Sequence, residues 1–204
     1  MRTLKLTCKH CRREGVSLCG RAKCAFNRRP YAPGVHGPKG KGGRMTDYAK
    51  QLREKQKAKR LYGVSEKQFS NYFKKAVSMK GDSGENLVRL LEMRLDNSVF
   101  RSGFAKTRAA ARQVVSHSHV FVNGKKTDIA SFQVKPGDVL RIRDNKREKG
   151  LWKNLLEDLK KQETPSWLAL NPEEMEAKVT SRPDAEELKQ VVFDPKLIIE
   201  FYSR

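Results

Sequence analysis

Residues 85–122 limit what this chain can fold into more than any other stretch. Across 86–99, Leu87, Leu90, Leu91 and Leu95 recur at i, i+3, i+4 and i+8, which marks one buried face of a helix. Ser102 and Gly103 interrupt that run. Thr107 then has the chemistry of an N-cap, and residues 108–116 read as a second helix. Ala111, Val114 and Val115 can face inward, while Arg108, Arg112 and Ser116 fall on one outward stripe, with Gln113 and His117 beside it. Val120 and Val122 alternate into Asn123-Gly124, a hairpin signal, and Lys125 and Lys126 follow. A thin apolar edge backing an Arg-Arg-Gln-His edge is a shelf that can sit on a core and face a phosphate backbone.

The charge has the same direction. The 204 residues carry a net charge of +21, which in a compact protein implies a polyanionic partner. Residues 1–80 hold 22 Lys or Arg against 4 acids, residues 81–150 hold 14 against 8, and residues 151–204 hold 8 against 11. The whole excess therefore lies in the first two thirds. No run approaches the roughly 18 apolar residues of a membrane span. Lys5, Lys9 and His10 interrupt the apolar core that a signal peptide would need, so the expectation is a cytoplasmic protein in a reducing compartment with no membrane partner.

Residues 1–45 contain all four cysteines, together with Pro30, Pro33, Gly34, Gly37, Pro38, Gly40, Gly42 and Gly43. Such a segment has no apolar periodicity after Cys24 and needs a metal or a partner to order it. Cys8 and Cys11 are spaced C-x2-C, and after seven intervening residues Cys19 and Cys24 follow as C-x4-C. Two short chelating pairs suit one tetrahedral zinc ion, although the intervening loop is shorter than in common fingers. Redox-active or simply unpaired thiols are the alternatives, and disulfides do not suit a reducing compartment. His10 could substitute as a ligand, with a phosphate contact as its favoured role.

Thr46 can cap a helix over 47–61 that Gly63 ends. Lys50, Arg53, Lys55, Lys57, Lys59 and Arg60 cover most of it, with only Glu54 as a counter-charge near its middle. The alternatives are a solvated helix and one laid on phosphates, and the second is favoured. Ser65 and Gln68 form a capping-box pattern, and Phe69, Tyr72, Phe73 and Ala76 follow as a core stripe. Farther on, Pro136-Gly137-Asp138 reads as a type II turn. Residues 139–143 alternate as a half-buried strand with Arg141 and Arg143 outward. Leu151, Trp152, Leu155, Leu156 and Leu159 suggest another amphipathic helix, and Trp167, Leu168 and Leu170 a short strand. Residues 171–189 are acidic and broken by Pro183, and residues 197–202 read as a final strand.

Nothing catalytic stands out. The glycines at 37, 40, 42 and 43 interleave with Lys39, Lys41 and Arg44 but follow no strand, so they are not a nucleotide-binding loop. His117 and His119 suit an RNA-facing surface better than a general base.

The motifs Arg94-Leu95-Asp96-Asn97, Thr107-Arg108, Ser116-His117 and Val122-Asn123-Gly124 resemble the small RNA-binding module named after small-subunit ribosomal protein S-four. Cys11-Arg12-Arg13-Glu14-Gly15, Arg28-Arg29-Pro30-Tyr31, His36-Gly37, the run 51–56 and the terminal 200–204 are similar to that ribosomal protein family itself, over nearly the whole length. The resemblance implies a structural protein, not an enzyme, that binds small-subunit ribosomal RNA early, nucleates assembly of the subunit body and contributes to translational accuracy. It implies an α+β chain: a helical domain, a module in which a small antiparallel sheet packs on helices, and an extended N-terminal zinc-binding arm. The expected boundaries are an arm at 1–45, a helical domain at 46–85 completed by 190–204, and the module at 86–189 with its core at 94–150. The candidate RNA contacts in the arm are Arg12, Arg13, Arg21, Lys23, Arg28 and Arg29, with Tyr31 and His36. Those on the following helix are Lys50, Arg53, Lys57 and Arg60. Those in the module are Arg108, Arg112, Gln113, His117 and Asn123. The resemblance also implies contact with ribosomal protein S-five and, through Arg44, Lys39 and Lys41, with messenger RNA at the entry channel. An RNA-modifying enzyme sharing the module and a zinc-dependent DNA-binding regulator are the competing readings.

Overall fold

A computed structural model describes residues 6–38, 44–143, 152, 155, 159 and 163–204. Lys39 and Lys41, the glycines at 40, 42 and 43, Leu151 and Leu156 lie outside the described residues. The chain forms two compact units, residues 1–88 with 190–204 and residues 89–189.

The first unit begins with α1 (Cys8–Glu14) and α2 (Ala25–Arg28). Here Cys11, Leu18 and Cys24 are buried, with Leu6, Cys8, Val16, Cys19 and Phe26 packed around them. This cluster is the arm's own core, and half of it is sulfur. Then come α3 (Asp47–Leu61) and α4 (Glu66–Val77). Thr46 Oγ1 accepts from Ala49 N at 3.3 Å. The capping box of Ser65 and Gln68 forms as the sequence indicates. The last helix of the unit, α9 (Pro195–Tyr202), packs along α3.

That final segment is a helix, not the strand expected from its apolar run. A short continuous apolar run does not separate the two. Its start signals do, because Asp194 Oδ1 accepts from Lys196 N at 2.9 Å and Pro195 occupies the first turn. The buried residues of α3 are Gln51, Lys55 and Ala58. Gln51 Nε2 donates to Glu200 Oε2 at 2.9 Å. Lys55 Nζ lies 4.3 Å from the centroid of the Phe201 ring and donates to Glu66 Oε1 at 2.8 Å. Tyr202 stacks on Phe73 at 4.8 Å and donates its hydroxyl to Glu66 Oε1 at 2.7 Å.

Glu66 thus ties α3, α4 and α9 together. Burial alone would raise its carboxyl, but hydrogen bonds from Lys55, Lys59 and Tyr202 outweigh that and bring it from 4.5 down to about 2. A carboxyl depressed by folding contributes stability that is complete above pH 4.5 and is lost as the pH falls towards 2. Glu66→Gln is therefore expected to flatten the acid limb of the first unit's melting-temperature profile in that window. An unchanged limb would remove Glu66 from the acid response.

The helix expected over 86–99 is two helices, α5 (Ser83–Glu92) and α6 (Leu95–Arg101). Arg94 between them is extended, with φ −75° and ψ 141°. Residues 130–134 capture the backbone there: Leu95 N donates to Phe132 O at 2.8 Å and Val134 N to Met93 O at 3.0 Å. Asn97 Nδ2 takes the carbonyl of Glu92 at 2.8 Å and closes α5. Leu87 and Leu91 before the break and Leu95 and Val99 after it are all fully buried.

The second unit continues with α7 (Arg108–Ser116), capped by Thr107 Oγ1, which accepts from Ala110 N at 3.1 Å. Strands β1 (Val120–Val122), β2 (Lys125–Lys126), β3 (Val139–Ile142), β4 (Leu168–Asn171) and β5 (Glu176–Val179) form an antiparallel sheet in the order β2-β1-β3-β5-β4. A short helix, α8 (Ala185–Lys189), follows. Asn123 and Gly124 both take positive φ, 50° and 74°, as a two-residue hairpin turn demands. One face of the sheet (Val120, Val122, Leu140, Ile142, Ala177 and Val179) shares a core with Val99, Val115, Trp152, Leu155 and Leu159. The acidic stretch 171–189 contributes to this sheet. Its strand β5 pairs with both β3 and β4, and Ala177 and Val179 are fully buried.

Candidate nucleic-acid interface and thiol cluster

The arm presents its cations outward. Arg13, Arg21, Lys23, Arg28, Arg29, Tyr31 and His36 are exposed. Residues 1–46 contain a single acid, Glu14. That carboxylate is buried and pairs with Arg60, by a short hydrogen bond, and with Arg53 at 3.5 Å, fastening α1 to α3. Arg12 differs from its neighbours. Its Nε donates to Tyr31 O at 3.0 Å, its Nη2 donates to Ala32 O at 3.2 Å, and its guanidinium lies 4.7 Å from the centroid of the Tyr31 ring.

On α3 the candidate phosphate contacts already have counter-charges. Lys50 pairs with Asp47, Lys57 with Glu54, and Arg53 and Arg60 with Glu14. The sequence shows Glu54 as a local counter-charge, but Glu14 and Glu66 reach α3 from other elements and are invisible to a reading of the helix alone.

On α7 the exposed edge is Ala109, Gln113 and Ser116, followed by His117. Arg108 and Arg112 lie at its half-buried border. Arg108 Nε donates to Asn97 Oδ1 at 2.8 Å, and its guanidinium sits 4.5 Å from the centroid of the Phe100 ring. Arg112 Nη1 is 3.9 Å from Asp96 Oδ2. Both arginines therefore brace α7 on α6, and replacing them removes packing as well as charge. Asp96 forms an internal ion pair: its carboxylate accepts from Arg94 Nε at 3.0 Å and Nη2 at 2.7 Å. Asn123 is a clamp, with its Nδ2 donating to Asp138 Oδ1 at 2.8 Å and its Oδ1 accepting from Val139 N at 2.9 Å. Arg44 is exposed just ahead of α3.

The sulfurs of Cys8, Cys19 and Cys24 lie within 4.8 Å of one another. Cys11 is fully buried beside them. Burial, followed by contact with Cys19, pushes the Cys11 thiol up to about 12. Burial also raises Cys24, but bonds to Ser17, the Phe26 N–H, Cys19 and Cys11 prevail and hold it at about 7. Thiolates at about 2.3 Å from a tetrahedral zinc stand roughly 3.8 Å apart. Three sulfurs already this close, with a fourth packed against them, are a chemically suitable donor set. His10 is occupied elsewhere, with its Nδ1 accepting from Thr7 N at 3.2 Å at the start of α1.

Residues 2–92 match the family described as the ribosomal protein S4/S9 N-terminal domain, and residues 93–140 match the S4 domain. The chain is 48% identical over 203 residues to small ribosomal subunit protein uS4 of Thermodesulfovibrio yellowstonii, covering 97% of this chain and 96% of that one. It is 51% identical over 204 residues to uS4 of a Thermoanaerobacter species, covering 97% of each. The chain belongs to the uS4 family of small ribosomal subunit proteins. The uS4 protein of Chlorobium limicola, 49% identical over 193 residues, belongs to the same set. Membership in the uS4 family makes this a ribosomal protein with an RNA-binding domain and not an enzyme, located in the cytoplasmic small subunit. The boundary between the two family regions falls at 92/93, where α5 ends and the extended Arg94 begins.

Proposed function

We propose that this uS4 protein is a primary binder of small-subunit ribosomal RNA, docking through the arm and the exposed edge of α7 and nucleating assembly of the subunit body. The observation that carries this reading is the arm's charge: Lys9, Arg13, Arg21, Lys23, Arg28 and Arg29 are exposed, and its one acid is buried and already paired. Cations placed without local counter-charge match a backbone that carries one phosphate per nucleotide. Binding of small-subunit ribosomal RNA and of duplex DNA of equal length, compared at one fixed salt, tests it. The expected preference for the RNA is about a thousandfold or more. Equal affinity, or a preference for DNA, favours the regulator instead.

On the same reading, exposed Arg44, together with Lys39 and Lys41, lies along the messenger entry path and contributes to accuracy beside ribosomal protein S-five. A messenger–protein crosslink at Arg44 in translating ribosomes supports this, and its absence there counts against it.

The thiol cluster holds one zinc ion through Cys8, Cys11, Cys19 and Cys24. The ion would cross-link an arm whose core is too small to be stable alone. Elemental analysis of the purified protein is expected to find one zinc per chain, and cobalt substitution a thiolate charge-transfer band. Cys24→Ser is expected to expose residues 6–38 to protease while α3 and α4 stay folded. A metal-free protein with no cobalt band would contradict the assignment.

A further inference from the structure

The arm holds one aromatic side chain in an arrangement that phosphate binding does not use. Tyr31 keeps 36% of its surface exposed, and Arg12 lies 4.7 Å from its ring centroid. The same guanidinium donates to the carbonyls of Tyr31 and Ala32, so the ring, its backbone and the next residue are fixed from one side. The loop beyond is tight. Gly37 N donates to Gly34 O at 3.1 Å, and a Cβ on Gly37 would lie 1.9 Å from Ala32 O, so only glycine lets the chain close over that carbonyl. Val35 is 91% exposed and His36 is exposed on the same loop, with the cations Arg28 and Arg29 just ahead of it.

We infer that Tyr31 is a stacking platform for one unpaired nucleobase of the bound RNA, and that Arg12 is its positioning residue rather than a phosphate contact. The inference rests on the RNA-binding reading above and adds a ligand class to it. Three features carry it. An exposed aromatic ring buttressed on one face by a planar cation loses little freedom when a base stacks on it. The surrounding charge is positive, with Glu14, the arm's one acid, buried in its pairs with Arg53 and Arg60. An unpaired base is the part of a folded RNA that can leave its own stack and reach a ring set among phosphate-binding cations.

The experiment uses the full-length protein and a full-length small-subunit ribosomal RNA transcript, with affinity followed across a salt series. Tyr31→Phe is expected to bind within about twofold of wild type. Tyr31→Leu is expected to bind roughly tenfold or more weakly, the effect of losing one base–aromatic stack, with the log–log salt slope unchanged. Arg12→Lys is expected to weaken binding in the same sense, because an ammonium cannot hold two carbonyls and back a ring, whereas a phosphate contact would tolerate it. The double variant is expected to be no weaker than Tyr31→Leu. Tyr31→Leu binding like wild type, or a flattened slope, overturns the stacking role. Wild-type protein without salt-dependent RNA binding fails the underlying reading instead. Should Tyr31→Leu loosen the arm to protease, ultraviolet crosslinking of the wild-type particle decides. A Tyr31 adduct to an unpaired nucleotide supports the platform, and an adduct to a protein neighbour, or none, overturns it.

Discussion

Asp96→Ala is expected to destabilise the second unit by roughly 3–5 kcal/mol, because it leaves the Arg94 guanidinium buried without its carboxylate. Arg94 has no exposed surface and Asp96 is 4% exposed, so water replaces little of the lost interaction. In a unit of this size that lowers the melting temperature by more than about 10 °C. The change also removes the Asp96 carboxylate from beside Arg112 and loosens α7 on α6, so RNA binding falls with folding. Replacing the pair together, Arg94→Met with Asp96→Leu, is expected to recover much of the loss, since the buried charge goes with its partner. Asp47→Ala in the exposed Lys50–Asp47 pair is expected to leave the melting temperature unchanged. Thermal unfolding of the three variants checks the set. An Asp96→Ala protein as stable as wild type would mean that the interior around Arg94 is wetter than its burial indicates.

Replacing Arg13, Arg21, Lys23, Arg28 and Arg29 together by Ala is expected to leave the fold intact and to reduce the log–log salt slope of RNA binding by up to about 4. At near-physiological salt the affinity falls by roughly two to three orders of magnitude. Replacing Lys57, Arg60 and Lys59 on α3 is expected to do the opposite: a small change in slope, and a first unit that melts earlier because Glu54, Glu14 and Glu66 lose counter-ions. Filter binding across a salt series, paired with melting curves, separates the two outcomes. A slope that α3 controls and the arm does not would reverse the proposed docking face.

Local signals in the sequence located much of this architecture. Thr46, Ser65 and Thr107 start helices because a side-chain oxygen there meets an orphan N–H, and that chemistry needs no knowledge of the fold. Asn123-Gly124 and Pro136-Gly137 are equally local, since backbone conformation at those positions selects the residue. What stayed hidden depends on distant segments. Arg94 leaves the helix because residues 130–134 compete for its neighbours' backbone groups, some 35–40 residues away. The strand β5 hides in an acidic stretch because only Ala177 and Val179 carry its inward face. Lys55 is buried, against every compositional expectation, because Glu66 and the rings of α9 arrive from elsewhere in the chain.

The candidate interface was legible to a lesser degree. Gln113 and His117 are exposed on and beside α7 as the helical spacing indicates. Arg108 and Arg112 share that spacing, yet their long side chains fold back onto Asn97 and Asp96. Glu14 is one acid among the twelve Lys and Arg of residues 1–46, and its burial between Arg53 and Arg60 follows from how α1 lies on α3. The four cysteines were legible as a donor set because chelate spacing is a property of sequence, whereas the neighbourhood that holds Cys24 at about 7 is not.

The central claim, one-sided docking on small-subunit ribosomal RNA, is tested most directly by crosslinking the protein to RNA in cells, sequencing the RNA and mapping the crosslinked peptides. The account predicts small-subunit ribosomal RNA joined to peptides from residues 6–38 and 109–119, with β4, β5 and α8 free of adducts. Crosslinks to other RNA classes, or adducts concentrated on residues 168–189, would contradict it.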